Sequence, residues 1–284
     1  MRTTLFLASF LALTLPASAQ TCDRECLRGM LTQYLNAMLT HDPKPLPLAA
    51  NVRFTEDADE KKLGEGFWKT ISGLGAFRQD ILDVRQSTAG THVLAMEDGK
   101  PVLMAVRLKI AAGKISEVES TVVRNQAEGM IFRPDAIKEA SPAMILTPPA
   151  AQRDSREKMI ELALRYPAGL KVGSFVKSDA LFSPAAYRFE NGQLMAGPGC
   201  SFIPGCDKIR EQALPTLSGI TARVAAVDEE QGIVWLRMNF GAGSVMRGEG
   251  HLSVWEMFKI YDGRIQAVEA IMEIAPAGKP FGWD

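Results

Sequence analysis

An internal repeat constrains this chain more than any other feature. Leu108-Lys109-Ile110-Ala111-Ala112-Gly113-Lys114-Ile115 lies on Phe258-Lys259-Ile260-Tyr261-Asp262-Gly263-Arg264-Ile265, so residue 108 maps to 258 at an offset of 150. The match runs on without a gap from Val118-Glu119 to Val268-Glu269. Upstream, Val52-Arg53-Phe54 resembles Tyr187-Arg188-Phe189, and each triplet follows a helix-like segment, Cys26 to Leu39 or Ser155 to Arg165. Each half therefore reads as a helix, an irregular stretch and then several strands. Between them, residues 125–152 hold Pro134, Pro142, Pro148 and Pro149 and read as a linker. The expected units are residues 20–124 and 153–284, and a length of 284 residues suits two domains.

Residues 1–19 are set apart from the fold. Arg2 precedes an apolar run from Leu5 to Leu15 and the small residues Ala17 and Ala19, the pattern of a signal peptide cleaved after Ala19. No later run reaches the roughly 18 apolar residues of a membrane span. The expectation is an exported protein, periplasmic or secreted, with no membrane insertion after cleavage. A formal charge of -1 and 46% hydrophobic residues argue against disorder and against charge-driven nucleic-acid binding. In an oxidising compartment four cysteines read first as disulfides, with the local pairs Cys22/Cys26 and Cys200/Cys206 favoured among three connectivities. His41, His92 and His251 are isolated, so no metal and no cofactor are expected.

Three segments resemble the SnoaL-like branch of the nuclear transport factor 2-like superfamily. They are His41-Asp42-Pro43 through Val52-Arg53-Phe54-Thr55-Glu56, the element Arg188-Phe189-Glu190-Asn191-Gly192, and the hairpin from Glu256 to Ala270. The sequence departs from that pattern at Thr55-Glu56-Asp57-Ala58, where the first half often carries T-E-N-G. The resemblance implies an α+β fold of two tandem cone-shaped domains, each a curved, mostly antiparallel sheet with helices on one face. The two sheets are expected to pack as a pseudo-dimer within one chain.

Asp262-Gly263 is a two-residue turn signal that makes Tyr261 and Arg264 the closing pair. Strict alternation from there sets Ile260 against Ile265, Phe258 against Ala267 and Glu256 against Glu269. In the first half the same register sets Val106 against Glu119. Two carboxylates facing each other among apolar neighbours would raise a pKa into the range of a general acid or base, unless Arg188 or Arg237 bridges them. The other face carries His251, Ser253, Trp255 and Met257, and His251 is a third acid–base candidate. Trp235, Trp255 and Phe258 are candidates for an aromatic wall, against the alternative that they are core residues. His41-Asp42 reads as a turn, and the loop around Cys200 and Cys206 as a staple near the second cone. The sequence lacks G-x-S-x-G, H-E-x-x-H and phosphate-loop elements.

Relatives of such a fold include isomerases, dehydratases, polyketide cyclases and lyases of lignin-derived compounds. The resemblance thus implies a cofactor-free lyase acting on a small apolar or aromatic molecule by proton transfer. Glu256, Glu269 or His251 would be catalytic, and Arg188, Arg237, Trp235, Trp255 and Phe258 would bind substrate. The alternative is a non-catalytic module that binds a hydrophobic ligand or a protein. Homo-oligomerisation stays open.

Overall fold

A computed structural model of the chain describes residues 22–245, 249–280 and 283; the proposed signal peptide lies outside them. Each half builds one six-stranded sheet. The first comprises β1 (Leu48–Glu56), β2 (Asp59–Lys61), β3 (Ile71–Asp83), β4 (Thr88–Glu97), β5 (Lys100–Ala111) and β6 (Lys114–Val123). The second comprises β7 (Phe182–Glu190), β8 (Gln193–Ala196), β9 (Thr221–Asp228), β10 (Ile233–Ala242), β11 (His251–Tyr261) and β12 (Arg264–Ala275). Their spatial orders, β2-β1-β6-β5-β4-β3 and β8-β7-β12-β11-β10-β9, are the same topology. Among the described residues only β1 with β6 and β7 with β12 run parallel. The fold is α+β with two mixed sheets.

Helix α1 (Arg24–Leu39) starts at Asp23, whose carboxylate accepts the Cys26 amide at 2.9 Å. Leu27, Leu31, Leu35 and Met38 recur at helical spacing and are buried on the first sheet. Short helices α2 (Gln126–Gly129) and α3 (Pro142–Ile145) punctuate the linker. Helix α4 (Arg156–Val172) is capped by Ser155 and ends at Gly173 in the left-handed region, with φ 68°. Sequence reading stops it at Arg165, ahead of Pro167. It continues because Tyr166, Pro167 and Leu170 are buried against the second sheet, and that burial outweighs the amide Pro167 lacks.

The remaining faces of the two sheets pack against each other. Ile81, Leu103 and Ala105 from the first half meet Trp235, Trp255 and Ile271 from the second in one buried cluster. The Trp235 and Trp255 rings lie 4.3 Å apart, and their indole N–H groups donate across the interface, to His92 Nε2 at 3.0 Å and Thr121 Oγ1 at 3.1 Å. Gly90 makes room for this arrangement, since a Cβ there would sit 2.1 Å from the Trp235 ring. Two reciprocal clasps close the edges. Arg24 of α1 reaches Asp228 of the second sheet at 2.7 and 2.9 Å, and Arg156 of α4 reaches Asp83 of the first at 3.0 and 2.6 Å. Each aspartate also accepts a main-chain amide from the opposite half, Leu82 or Val227.

The register differs from strict alternation. Tyr261 pairs with Arg264 and Ile260 with Ile265, but a bulge at Gln266 then sets Lys259 against Ala267, Glu256 against Ala270 and Met257 against Glu269. The first half carries the same bulge at Ser116, so Glu119 faces Arg107 and Val106 faces Ser120. The extra residue lets Ile265 pack on the helix side while Ala267 packs between the sheets. Glu256 and Glu269 therefore lie on opposite faces, and the expected carboxylate pair does not form. His251, Ser253, Trp255 and Met257 accordingly share their face with Glu269 and Glu273. The match of Arg53 to Arg188 is also one residue out: Phe54 lies beside Val118 and Arg188 beside Val268, so Arg188 takes the place of Phe54.

Candidate functional site

On the helix side of the second sheet, Glu256 is 1% exposed and sits beside Tyr166, Arg188 and Glu190. Arg188 donates to Tyr166 Oη at 3.2 Å and forms an ion pair with Glu190 at 2.9 Å, at an angle short of a hydrogen bond. Burial pushes the Glu256 carboxyl up to about 8, the negative charge of Glu190 adds to the shift, and Arg188 opposes it. Tyr166 packs on Phe258 and Phe175 with ring centroids 5.0 and 4.8 Å away. Phe258 belongs to this packed interior, on the opposite side of the sheet from Trp235 and Trp255, so the three form no common wall.

Between the sheets Glu269 has a different setting. Its Oε1 lies 2.8 Å from both Ser141 Oγ and Tyr187 Oη, which are also within hydrogen-bond distance of each other. The two hydroxyl protons fill two of these three contacts when Glu269 is ionised, and its own proton supplies the third when it is neutral. Ser141 is placed by its own role as N-cap of α3, and Tyr187 by the parallel pairing of β7 with β12. Burial raises the pKa of Glu269 while the two hydroxyls oppose the rise. The carboxyl opens onto a pocket of about 160 Å³. Phe77 and His92 form its first-half wall, Phe189 and Ile271 its second-half wall, and Ile137 with Ser141 the linker side. His92 is fully buried, which pulls its pKa down to about 3. Its Nε2 accepts the Trp235 N–H, so the neutral ring carries its proton on Nδ1.

Arg237 bridges neither Glu256 nor Glu269; it lies 3.5 Å from Glu119 and 3.8 Å from Glu273, over the Trp255 ring. His251 is buried on this same face, at the end of β11 opposite Ala275, and burial followed by the charge of Arg237 lowers its pKa. Both expected disulfides are present, Cys22–Cys26 and Cys200–Cys206. The second staples its loop to β8, where Gly197 N donates to Cys206 O. Asp42 accepts the Lys44 amide, and His41 Nδ1 bonds Trp68 O, so this dipeptide serves a turn. Sequence reading did not select Ser141 or Tyr187. The one signal was Ser141-Pro142, a capping residue ahead of a proline at a helix start.

The molecule is thus a tandem α+β repeat whose halves form a pseudo-dimer with a carboxyl-bearing pocket between them. Residues 152–272 match a family described as a domain of unknown function, DUF8021. No curated protein matches the chain. Among solved structures, an NTF2-like protein of unknown function from Shewanella baltica is 17% identical over 43% of this chain and 94% of its own, with a TM-score of 0.29. One from Cytophaga hutchinsonii is 13% identical over 35% and 90%, with a TM-score of 0.27. A putative isomerase from Bacillus subtilis is 14% identical over 34% and 85%, again with a TM-score of 0.27.

Proposed function

We propose that the protein is a cofactor-free acid–base enzyme, an eliminating lyase acting on a small, largely apolar ring compound in the pocket at Glu269. The supporting observation is a buried carboxyl of raised pKa and a neutral histidine lining one pocket the size of a single ring. A cavity of about 150 Å³ holds benzene. In this reading the Glu269 carboxylate takes a proton from a substrate carbon and becomes the neutral acid that its burial favours. As the electrons left on that carbon expel a leaving group, Nδ1–H of His92 donates toward the developing negative charge. Tyr187 and Ser141 fix the carboxyl, and Trp235 fixes the His92 tautomer. Trp255, Arg237 and His251 support the inter-sheet face, while Glu256, Arg188 and Phe258 hold the strand pair from behind. The two disulfides support an exported, periplasmic or secreted location.

Proton abstraction can be read without knowing the natural substrate. Methyl protons of acetophenone in D2O should exchange faster with the wild-type protein than in buffer. Glu269→Gln should slow the catalysed exchange by about 100-fold, the usual scale for loss of a general base, with little change in melting temperature. Full exchange by a folded Glu269→Gln protein would show that the chemistry lies elsewhere. A second reading, a non-catalytic ligand-binding protein, is favoured by the packing of Tyr166, Phe175 and Phe258, which fills the helix side of the second sheet. Saturable binding of aromatic compounds with no exchange would select it.

A further inference from the structure

We propose that a second, larger groove between the two halves binds a small organic carboxylate. It measures about 450 Å³ and is lined by Arg107, Lys109, Arg156 and Arg223, with Trp283 at one side. Two of its cations are matched by carboxylates in the lining, Arg156 by Asp83 at 2.6 Å and Arg107 by Glu117 at 2.8 Å. Arg223 is matched by Glu119 at 2.7 Å, but its Nε is buried with no hydrogen-bond partner among the described residues. Lys109 has no carboxylate within ion-pair distance among the described residues; its Nζ donates to the Gln86 carbonyl.

The repeat shows what is missing at Lys109. Its counterpart 150 residues on is Lys259, which is fully buried and donates to three carbonyls, Gln231 at 2.6 Å, Met144 at 3.2 Å and Leu146. Gln86 and Gln231 hold the same place, in the turns that precede β4 and β10. The two acceptors that Lys109 lacks are those the linker supplies to Lys259. In the first half the corresponding space is the open groove.

The chemistry of the occupant follows from what faces that space. Two donors remain on Lys109, and the two N–H groups of Arg223 Nη1 make no hydrogen bond among the described residues, Nη2 being the nitrogen that holds Glu119. A carboxylate presents two oxygens with about four acceptor positions. Only the charge of Lys109 is left unmatched, which suits a monoanion and opposes a dianion beside Asp83 and Glu117. Val224, Ala225, Ala226 and Ile160 supply apolar lining for an apolar body.

The test is calorimetric titration of the full-length mature protein at low salt with benzoate, its neutral analogue benzamide, and inorganic phosphate. Benzoate is expected to bind at one saturable site, at least tenfold more tightly than either control. Lys109→Gln should weaken it at least tenfold, and Glu269→Gln should leave it unchanged. Should Lys109→Gln fail to fold, Arg223→Lys carries the same test, because it keeps the charge toward Glu119 and removes the Nη1 donors. The proposal is overturned by no saturable heat, by equal binding of benzamide, by tighter binding of phosphate, or by an affinity that Glu269→Gln rather than Lys109→Gln destroys.

Discussion

Single residues here owe their character to which side of a sheet they occupy. Glu256 and Glu269 are both buried glutamates on neighbouring strands, yet one is enclosed by packed rings and the other is held by two hydroxyls at the edge of a pocket. The chemistry-bearing residue types were legible in the sequence, but their grouping was not, because face assignment past a turn depends on an unbroken period of two. Glu256 makes a pH prediction. Its folded value of about 8 lies above the usual carboxyl value of 4.5, so the folded state binds the proton more tightly than the unfolded chain. The resulting stability is full below about pH 4.5 and is lost as pH rises through 8, at up to about 1.4 kcal/mol per pH unit. Thermal melts of wild type and Glu256→Gln across pH 5 to 8 should diverge, with the variant relatively more stable at the alkaline end. Parallel curves would show that Glu256 titrates normally.

At the scale of elements, the two hairpins show what a repeat reveals and what it hides. Ala112-Gly113 and Asp262-Gly263 are turn signals at equivalent positions, and both mark hairpins closed by the expected pairs. Ser116 and Gln266, one residue past the first inward isoleucine, look like ordinary outward strand residues, so nothing local announces a bulge. The edge clasps were equally invisible, since Arg24 and Asp228 are 204 residues apart and their partners in the other half follow a different offset. Removing Gln266 takes out only the extra residue: Lys259 still meets Ala267 and Met257 still meets Glu269, so every side chain beyond it keeps its face, whereas deleting a residue from an unbulged strand would turn each of them to the other side. The expected outcome is a cooperative melt and a near-ultraviolet circular dichroism spectrum like those of wild type. Gln266→Ala, which keeps the residue count, should change stability by less than about 1 kcal/mol. A deletion variant that loses its cooperative melt would refute the bulge.

Across the whole molecule, the sheets share an apolar interface and each helix is tied to the opposite half. The halves should therefore unfold together, in a single calorimetric transition. Asp228→Ala leaves the buried Leu82 amide without its acceptor and Arg24 with only Glu230, at 3.6 Å, and loss of one partner of a buried pair is worth about 3–5 kcal/mol. For a molecule of this size that corresponds to a fall in melting temperature of roughly 10 °C. Two separate transitions, or an unchanged Tm in Asp228→Ala, would contradict the coupling.

The clasp between Arg24 and Asp228 also sets a clock. A ribosome adding about 5–20 residues each second needs on the order of 10 to 40 s to make the 204 residues between them. Once Val123 is made, about midway through that interval, the first sheet can complete its own hydrogen bonds and receive α1. Its other face, with Ile81, Leu103 and Ala105, waits bare for strands not yet synthesised. The nascent chain therefore passes through a period in which half of it is built and sticky, and whatever shields that face decides how much of the protein reaches its final form.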